Sequence, residues 1–472
     1  MPGTNDARRW LVLAIVGAAF FMTILDVAIV NVALPSMGRS LGASDRSLQW
    51  VLTAYSLTFG GLLLLGGRAA DLLGRRRDVL AGLVLFTAAS LVCGLAGDLG
   101  LLVGARAVQG MGAAIISPAA LSIVTTVFAE GPDRNKALGI WGALGGSGAA
   151  VGVLLGGIIT KWLGWEWIFF VNVPVGVLVL VACLGFVRES KLESSEKAFD
   201  PFGALTATGS LVALVYAISK APDVGWGTGQ TIGLLAGAGV LAVIFLAIES
   251  RVANPIMPLA ILRIRTVAGA NVVALMLGAS VFATFFILTL YVQQVLGWSP
   301  LKTGITFLAT AGTTVLWAGV SQALVTRIGP RRVMVVGLLL MGVATVLYTR
   351  VPVHGAFAGD LLPGYLIYAA GMAGSFIPVS IAALAGVKDE EAGLASGLFN
   401  TNQQIGGALG IAIAATVATS RSGALTRAGK SQAAAATGGF HYAFWVLAAF
   451  GFAGALVALL VVRDPGANAE RA

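Results

Sequence analysis

Two ionisable residues stand where charge is costly. Asp26 lies in TILDVAIVNVALP, inside an apolar run that begins at Trp10, and Arg106 lies in LLVGARAVQGMGAA. The residues around Asp26, among them Met22, Thr23, Ile29 and Val30, offer it no charge partner. At 1.5 Å per residue Asp26 falls about 13 Å short of Pro35, the end of its run. A charge at such depth costs roughly 2.5–3.5 kcal/mol on insertion scales and marks an ion or solute pathway. Burial favours a neutral acid, and a nearby guanidinium favours the carboxylate. An acid whose surroundings alternate between those two conditions takes up and releases protons. The plainer use of the same residues is an ion pair that ties two helices together.

The elements that must hold these residues are membrane spans. Of 472 residues, 57% are hydrophobic and 11% charged, whereas soluble domains carry about 25% charged residues. Apolar stretches recur from end to end, each long enough for the ~30 Å hydrocarbon layer. The pattern predicts fourteen spans, the first over 11–34, the seventh and eighth over 202–221 and 229–248, the last over 440–462. The first stretch follows Arg8 and Arg9 and lacks a small-residue cleavage site, so a retained helix is expected rather than a signal peptide. With the N-terminus inside, Lys and Arg divide 20 inside to 9 outside, with Arg106 within a span. Lys/Arg-rich loops stay cytoplasmic, so both termini are expected there. The net charge of +9 is then mainly topological, and nucleic acid is not an expected partner. Cys93 and Cys183 sit within spans without a CxxC, and His354 and His441 have no ligand-like neighbours. No metal, cofactor or catalytic constellation is expected, and the chain does not read as an enzyme.

The chain echoes itself. DLLGRRR at 71–77 and TRIGPRR at 326–332 place a glycine and two arginines in register at an inside turn. The spans then parse as six, two and six, with 1–200 and 266–472 as six-helix halves and 201–265 carrying two extra helices and their links. Parallel halves are a transporter architecture with the solute site at their interface.

Longer signatures carry a resemblance. GRAADLLGRRR at 67–77 resembles the loop motif of the major facilitator superfamily, matched at Gly67, Asp71, Gly74, Arg75 and Arg76. LLVGARAVQGMGAA resembles that family's helix-four signature, and GALGGSGAAVGVLLGG at 142–157 the helix-five signature of its antiporters. Val153 stands where the family usually has proline, a departure from that signature, while Gly148, Gly152, Gly156 and Gly157 form a stripe suited to close packing. LDVAIVNVALP at 25–35 and WEWIFFVNVPVG at 165–176 resemble helices one and six of the fourteen-helix drug:proton antiporters, with Glu166 where arginine is usual.

The resemblance implies an all-α major facilitator fold and proton-coupled efflux of lipophilic or cationic organic molecules. It implies that Asp26 and Arg106 couple protons and that the 67–77 loop gates the cytoplasmic side. Asn31, Tyr55, Gln109, Trp141, Phe282, Phe286, Asn402 and Gln403 are candidate cavity residues, each also readable as helix packing. The expected partners are a small organic solute, protons and lipid, with the monomer as the working unit. Transport of one metabolite or of a self-made antibiotic is the alternative.

Overall fold

Where no water reaches, every backbone N–H and C=O must be bonded within its own segment, which leaves helices as the solution for apolar runs of this length. The computed structural model describes residues 3–128, 132–190, 201–252, 255, 261–387 and 392–463. No strand occurs among them. The first helices are α1 (Gly3–Leu41), α2 (Asp45–Leu73), α3 (Arg75–Gly94), α4 (Leu99–Val127), α5 (Pro132–Trp162), α6 (Trp167–Phe170) and α7 (Asn172–Phe186). A pair follows, α8 (Pro201–Val224) and α9 (Gly229–Glu249). The rest are α10 (Arg265–Leu290), α11 (Pro300–Ile328), α12 (Pro330–Tyr348), α13 (Leu362–Leu384), α14 (Ala392–Arg427) and α15 (Gln432–Leu460). Among the described residues, twelve helical segments are long and apolar enough to cross a membrane. The helices α2 and α5 are 29 and 31 residues long, and they pack against α4 and α1.

Helix direction alternates, so the bundle has a near end, where α1 begins, and a far end. Five of the helices that start at the far end, α2, α4, α9, α11 and α15, are capped by short polar side chains. Ser44, Asp98, Thr228, Ser299 and Ser431 accept from the backbone N–H of Ser47, Leu101, Thr231, Lys302 and Ala434. At the near end the two echoed segments make the same turn. Gly74 (φ 114°) ends α2 and begins α3, and Gly329 (φ 85°) ends α11 and begins α12. Such backbone favours glycine, and a Cβ on Gly74 would also lie 2.6 Å from Glu189 Oε1. Two residues past each glycine, an arginine caps the last helix of its group. Arg76 donates to Leu184 O of α7 at 2.7 Å, and Arg331 donates to Leu459 O of α15. Both carbonyls lie at the negative end of a helix dipole.

Helices α1–α7 pack among themselves, and so do α10–α15. The main contacts between the groups are α2 on α14 and α5 on α11. The apolar core divides unevenly. At the far end one cluster crosses from group to group, joining Val30, Leu34 and Leu52 to Phe286, Leu290, Ala415 and Phe444. At the near end each group has its own cluster, around Val16, Phe86 and Ile123 in the first and Leu277, Met334 and Val379 in the second. The groups are therefore sealed together at the far end and separate at the near end.

Candidate functional site

Asp26 of α1 and Arg106 of α4 are both fully buried, and they meet directly. Arg106 Nη1 lies 2.5 Å from Asp26 Oδ2. Gln109, one turn along α4 and on the same face, donates through Nε2 to Asp26 Oδ1 at 2.9 Å. Asn172, the first residue of α7, donates to the same oxygen at 2.9 Å. Asn172 also reaches Ser90 Oγ of α3 at 3.1 Å, and Ser90 donates to Phe169 O at 2.9 Å. Arg106 Nη1 donates to Gln109 Oε1 at 2.7 Å and Nε to Val51 O at 3.0 Å. Its guanidinium lies 4.3 Å from the Tyr55 ring centre, while Nη2 has no hydrogen-bond partner. Each polar contact to Asp26 is a donor, an arrangement that suits the ionised carboxylate. All its partners come from α4 and α7, within the first helix group.

The glycine stripe presses α5 against this turn of α1. A Cβ on Gly148 would lie 3.0 Å from Ile24 Cγ2, on Gly152 2.7 Å from Leu25 O, and on Gly156 2.8 Å from Ile29 O. Gly157 faces the other way, where a Cβ would lie 2.7 Å from Pro300 O of α11. Gly148, Gly152 and Gly156 thus serve a contact within the first group, and Gly157 one between groups.

The loop residues sit at the near end. Arg75 reaches Thr126 through its side chain and Ser190 O through its backbone, at 3.1 Å in the latter case. The Glu189 carboxylate accepts from the backbone N–H of Arg76 and Arg77 at 3.1 and 3.2 Å, capping α3. The Asp71 side chain lies outside the described residues. A Cβ on Gly67 would meet Pro118 at an ordinary 3.5 Å, whereas one on Gly66 would run into the Ala114 carbonyl. One close approach of α2 and α4 thus falls at Gly66, next to the first glycine of the motif.

The candidate cavity residues separate into several environments. Tyr55 lies against Arg106, and its hydroxyl faces Thr23 O at 3.5 Å. Trp141 stacks on Phe20, 4.2 Å between ring centres. Asn31 bonds its own helix at Val27 O, 3.4 Å, and its Oδ1 has no partner. Phe286 is fully buried in the far-end core, and Phe282 packs over Gly407. Asn402 donates to Asn271 Oδ1 at 2.9 Å, and Gln403 is half-buried where α14 crosses Gly278 of α10. Asn172 and Ser90 were not among the expected site residues. The only trace of Asn172 in the sequence is its polarity within VNVP.

The far end is closed by polar bonds as well as by the shared core. Gln293 of the π-turn after α10 donates to Val32 O of α1 at 2.8 Å, and Gln294 donates to Asp45 Oδ1 at 2.6 Å. Burial pushes the Asp45 carboxyl up, and the Gln294 bond lowers it in part. At the near end, α11 from Val315 to Ile328 is exposed on almost all sides, with only Ser321 and Val325 buried.

Known proteins agree with this architecture. The sequence model described as Major Facilitator Superfamily matches residues 16–411. The chain is 40% identical over 440 residues to the puromycin resistance protein pur8 of Streptomyces alboniger, covering 92% of this chain and 87% of that protein. It is 38% identical to the cephamycin export protein CmcT of Amycolatopsis lactamdurans, covering 88% and 85%. Among solved structures, a bacterial homologue of the human lysosomal transporter Spinster, inward-facing and occupied, superposes with a TM-score of 0.70 at 16% identity, over 97% of each chain. A POT family peptide transporter superposes with a TM-score of 0.69 at 15% identity, over 96% of each. This chain belongs to the Major Facilitator Superfamily and is a membrane transporter, not an enzyme.

Proposed function

We propose that the protein is a proton-coupled exporter of the bacterial cell membrane, exchanging protons for lipophilic or cationic organic molecules. The observation that carries this reading is the sealed Asp26–Arg106 pair, ions of opposite sign with no exposure, inside helices of membrane-spanning length. The relatives named for puromycin resistance and cephamycin export support the outward direction. Fourteen helices cross, residues 1–200 and 266–472 form the moving halves, and 201–265 carries the two extra helices. The near end is cytoplasmic on the Lys/Arg bias. In that orientation the described state is closed outside and open inside. The loop with Gly67, Asp71, Gly74, Arg75 and Arg76 locks the inside when the outside opens.

The chemistry follows from the contacts of Asp26. All its partners lie in the first half, so rocking the halves as rigid bodies leaves the pair intact. Protonation is what breaks it. A proton on Asp26 cancels its charge and weakens the attraction to Arg106. The guanidinium then relies on Gln109, Val51 O and the Tyr55 face, all already in contact. Freed from α4, α1 can shift, and it touches both α5, through the glycine stripe, and the π-turn after α10, through Val32. Loss of the proton to the cytoplasm restores the pair. Cargo that favours the ionised carboxylate opposes proton binding by the same factor, which makes the exchange coupled. The monomer contains every part named.

Export of a single antibiotic is a second reading, favoured by relatives named for single compounds, including the lincomycin resistance protein of Streptomyces lincolnensis. Inverted vesicles with an imposed pH gradient, acid inside, test the main reading. Cargo should accumulate against its own gradient and leak back when a protonophore is added. Equilibration without accumulation would make the protein a passive facilitator. The range of cargoes that accumulate separates a broad exporter from a dedicated one.

A further inference from the structure

Helix α8 belongs to neither helix group, yet it is bonded to both along the seam that must part for the outside to open. Its far half lies over α2 and α14. Val215 of α8 packs with Leu57 of α2 and with Ala408 and Ala412 of α14. One turn further out, Gln49 Nε2 of α2 donates to Ser219 Oγ of α8 at 2.9 Å, buried. Thr416 of α14 donates to Ile218 O of α8 at 3.3 Å. At the outermost level Arg46, the second residue of α2, makes the junction. Its guanidinium pairs with Asp223 of α8, and it donates to Thr419 Oγ1 of α14 from Nε at 3.3 Å and from Nη2 at 3.0 Å. One side chain thus holds three helices, two of them from opposite groups.

We propose that Arg46 and Asp223 form the latch of the outer gate, with α8 as a strap that holds α2 and α14 together while the outside is closed. The inference goes beyond the proton chemistry of Asp26, and it rests on the orientation proposed above. Separation of the far ends of α2 and α14 must pull Arg46 away from Thr419, from Asp223, or from both. The strap makes that separation cost more than the α2–α14 contact alone would. It also gives the extra helix pair a role: Asp223 stabilises the closed outside from a position in neither half. Apolar packing lower on α8 keeps the strap attached after the latch opens, since Val215 and Leu57 lie two to three turns below Arg46 and Asp223.

The test uses the full-length protein in cells. Ala415 of α14 is buried beneath the seam, 2% exposed, and the native Cys93 and Cys183 are also buried. In an Ala415→Cys background, an impermeant maleimide added outside reports opening of the gate. Losing one ion pair and its bonds should shift the balance about three- to five-fold. Asp223→Ala and Arg46→Ala should each raise the labelling rate by that factor. The exchanged pair, Arg46→Asp with Asp223→Arg, should label more slowly than either single variant but faster than the parent, because the ion pair is restored and the Arg46 bonds to Thr419 are not. Parental labelling in Asp223→Ala overturns the proposal, and so does a rise in Arg46→Ala alone, which would confine the latch to α2 and α14. The same pattern seen only with reagent on the opposite face would keep the latch and overturn the orientation.

Discussion

Asp26 accepts from Arg106, Gln109 and Asn172, and these donors can be removed one at a time. Asn172→Ala takes away a neutral donor to Oδ1, so the ionised form loses support and the acid holds its proton more tightly. Cargo-linked proton release should then move to higher pH. A pH titration of release checks this, and an unmoved profile would reduce Asn172 to a helix-start residue. Arg106→Ala should move the profile further in the same direction. It should also lower thermal stability, since stripping one partner from a buried pair costs about 3–5 kcal/mol. The two ions were legible in the sequence because charge within an apolar run is costly and conspicuous. Asn172 and Ser90 were not, because a neutral polar residue near a helix end looks like ordinary capping. Only the fold brings α7 beside α1 and α3 beside α7, so that Asn172 completes the Asp26 shell and Ser90 bonds Asn172 behind it.

Helix contacts in this molecule turn on single glycines, and their demands differ. Gly156→Val places carbon where Ile29 O already sits, 2.8 Å from the new Cβ. It should push α5 off α1 near Asp26, abolishing transport and lowering the melting temperature, with overpacking typically costing about 1–3 kcal/mol. Gly67→Ala meets Pro118 at ordinary distance and should fold like the parent. Gly66→Ala should not, and a melting series on the pair separates a helix crossing from a motif position. Gly74→Ala faces both a left-handed backbone and the Glu189 carboxylate, and about 1–2 kcal/mol of destabilisation is expected from the backbone alone. The stripe at 148–157 could be read from spacing, as could the turn shared by DLLGRRR and TRIGPRR. Spacing does not say which neighbour a glycine meets: Gly66, just outside the loop motif, meets α4 at close range, and Gly67 within it does not. Nor does a motif say what holds its loop. Glu189 lies over a hundred residues from the arginines it caps, at the end of α7.

At the scale of the whole molecule, the three largest apolar cores record the state. One core spans both groups at the far end and two stand apart at the near end, as expected for halves that rock about the middle of the bundle. Sequence patterning could supply helices, their order and a repeat, but not which end of the bundle is shut, because both states bury the same kinds of residue. The orientation is open to a direct check. Ser194→Cys, at a position outside the described residues, should label from the cytoplasm, and Ser422→Cys from outside. Labelling from the same side would remove the fourteen-span arrangement. In the proposed orientation the closed far end also predicts a pH response. Asp45 is raised by burial here and returns toward its ordinary range when the gap floods, so a proton binds the closed form better. External acid should therefore slow Ala415→Cys labelling relative to an Asp45→Asn control, in which that dependence is lost. The central claim is that a proton on Asp26 powers export. Its most direct test is proton release on cargo addition to purified protein. Cells expressing the transporter are first screened for a compound it exports, and that compound serves as the cargo. The parent should release protons when it binds, and Asp26→Asn should bind neutral cargo and release none. Equal release from parent and Asp26→Asn would place the coupling site elsewhere and contradict the account.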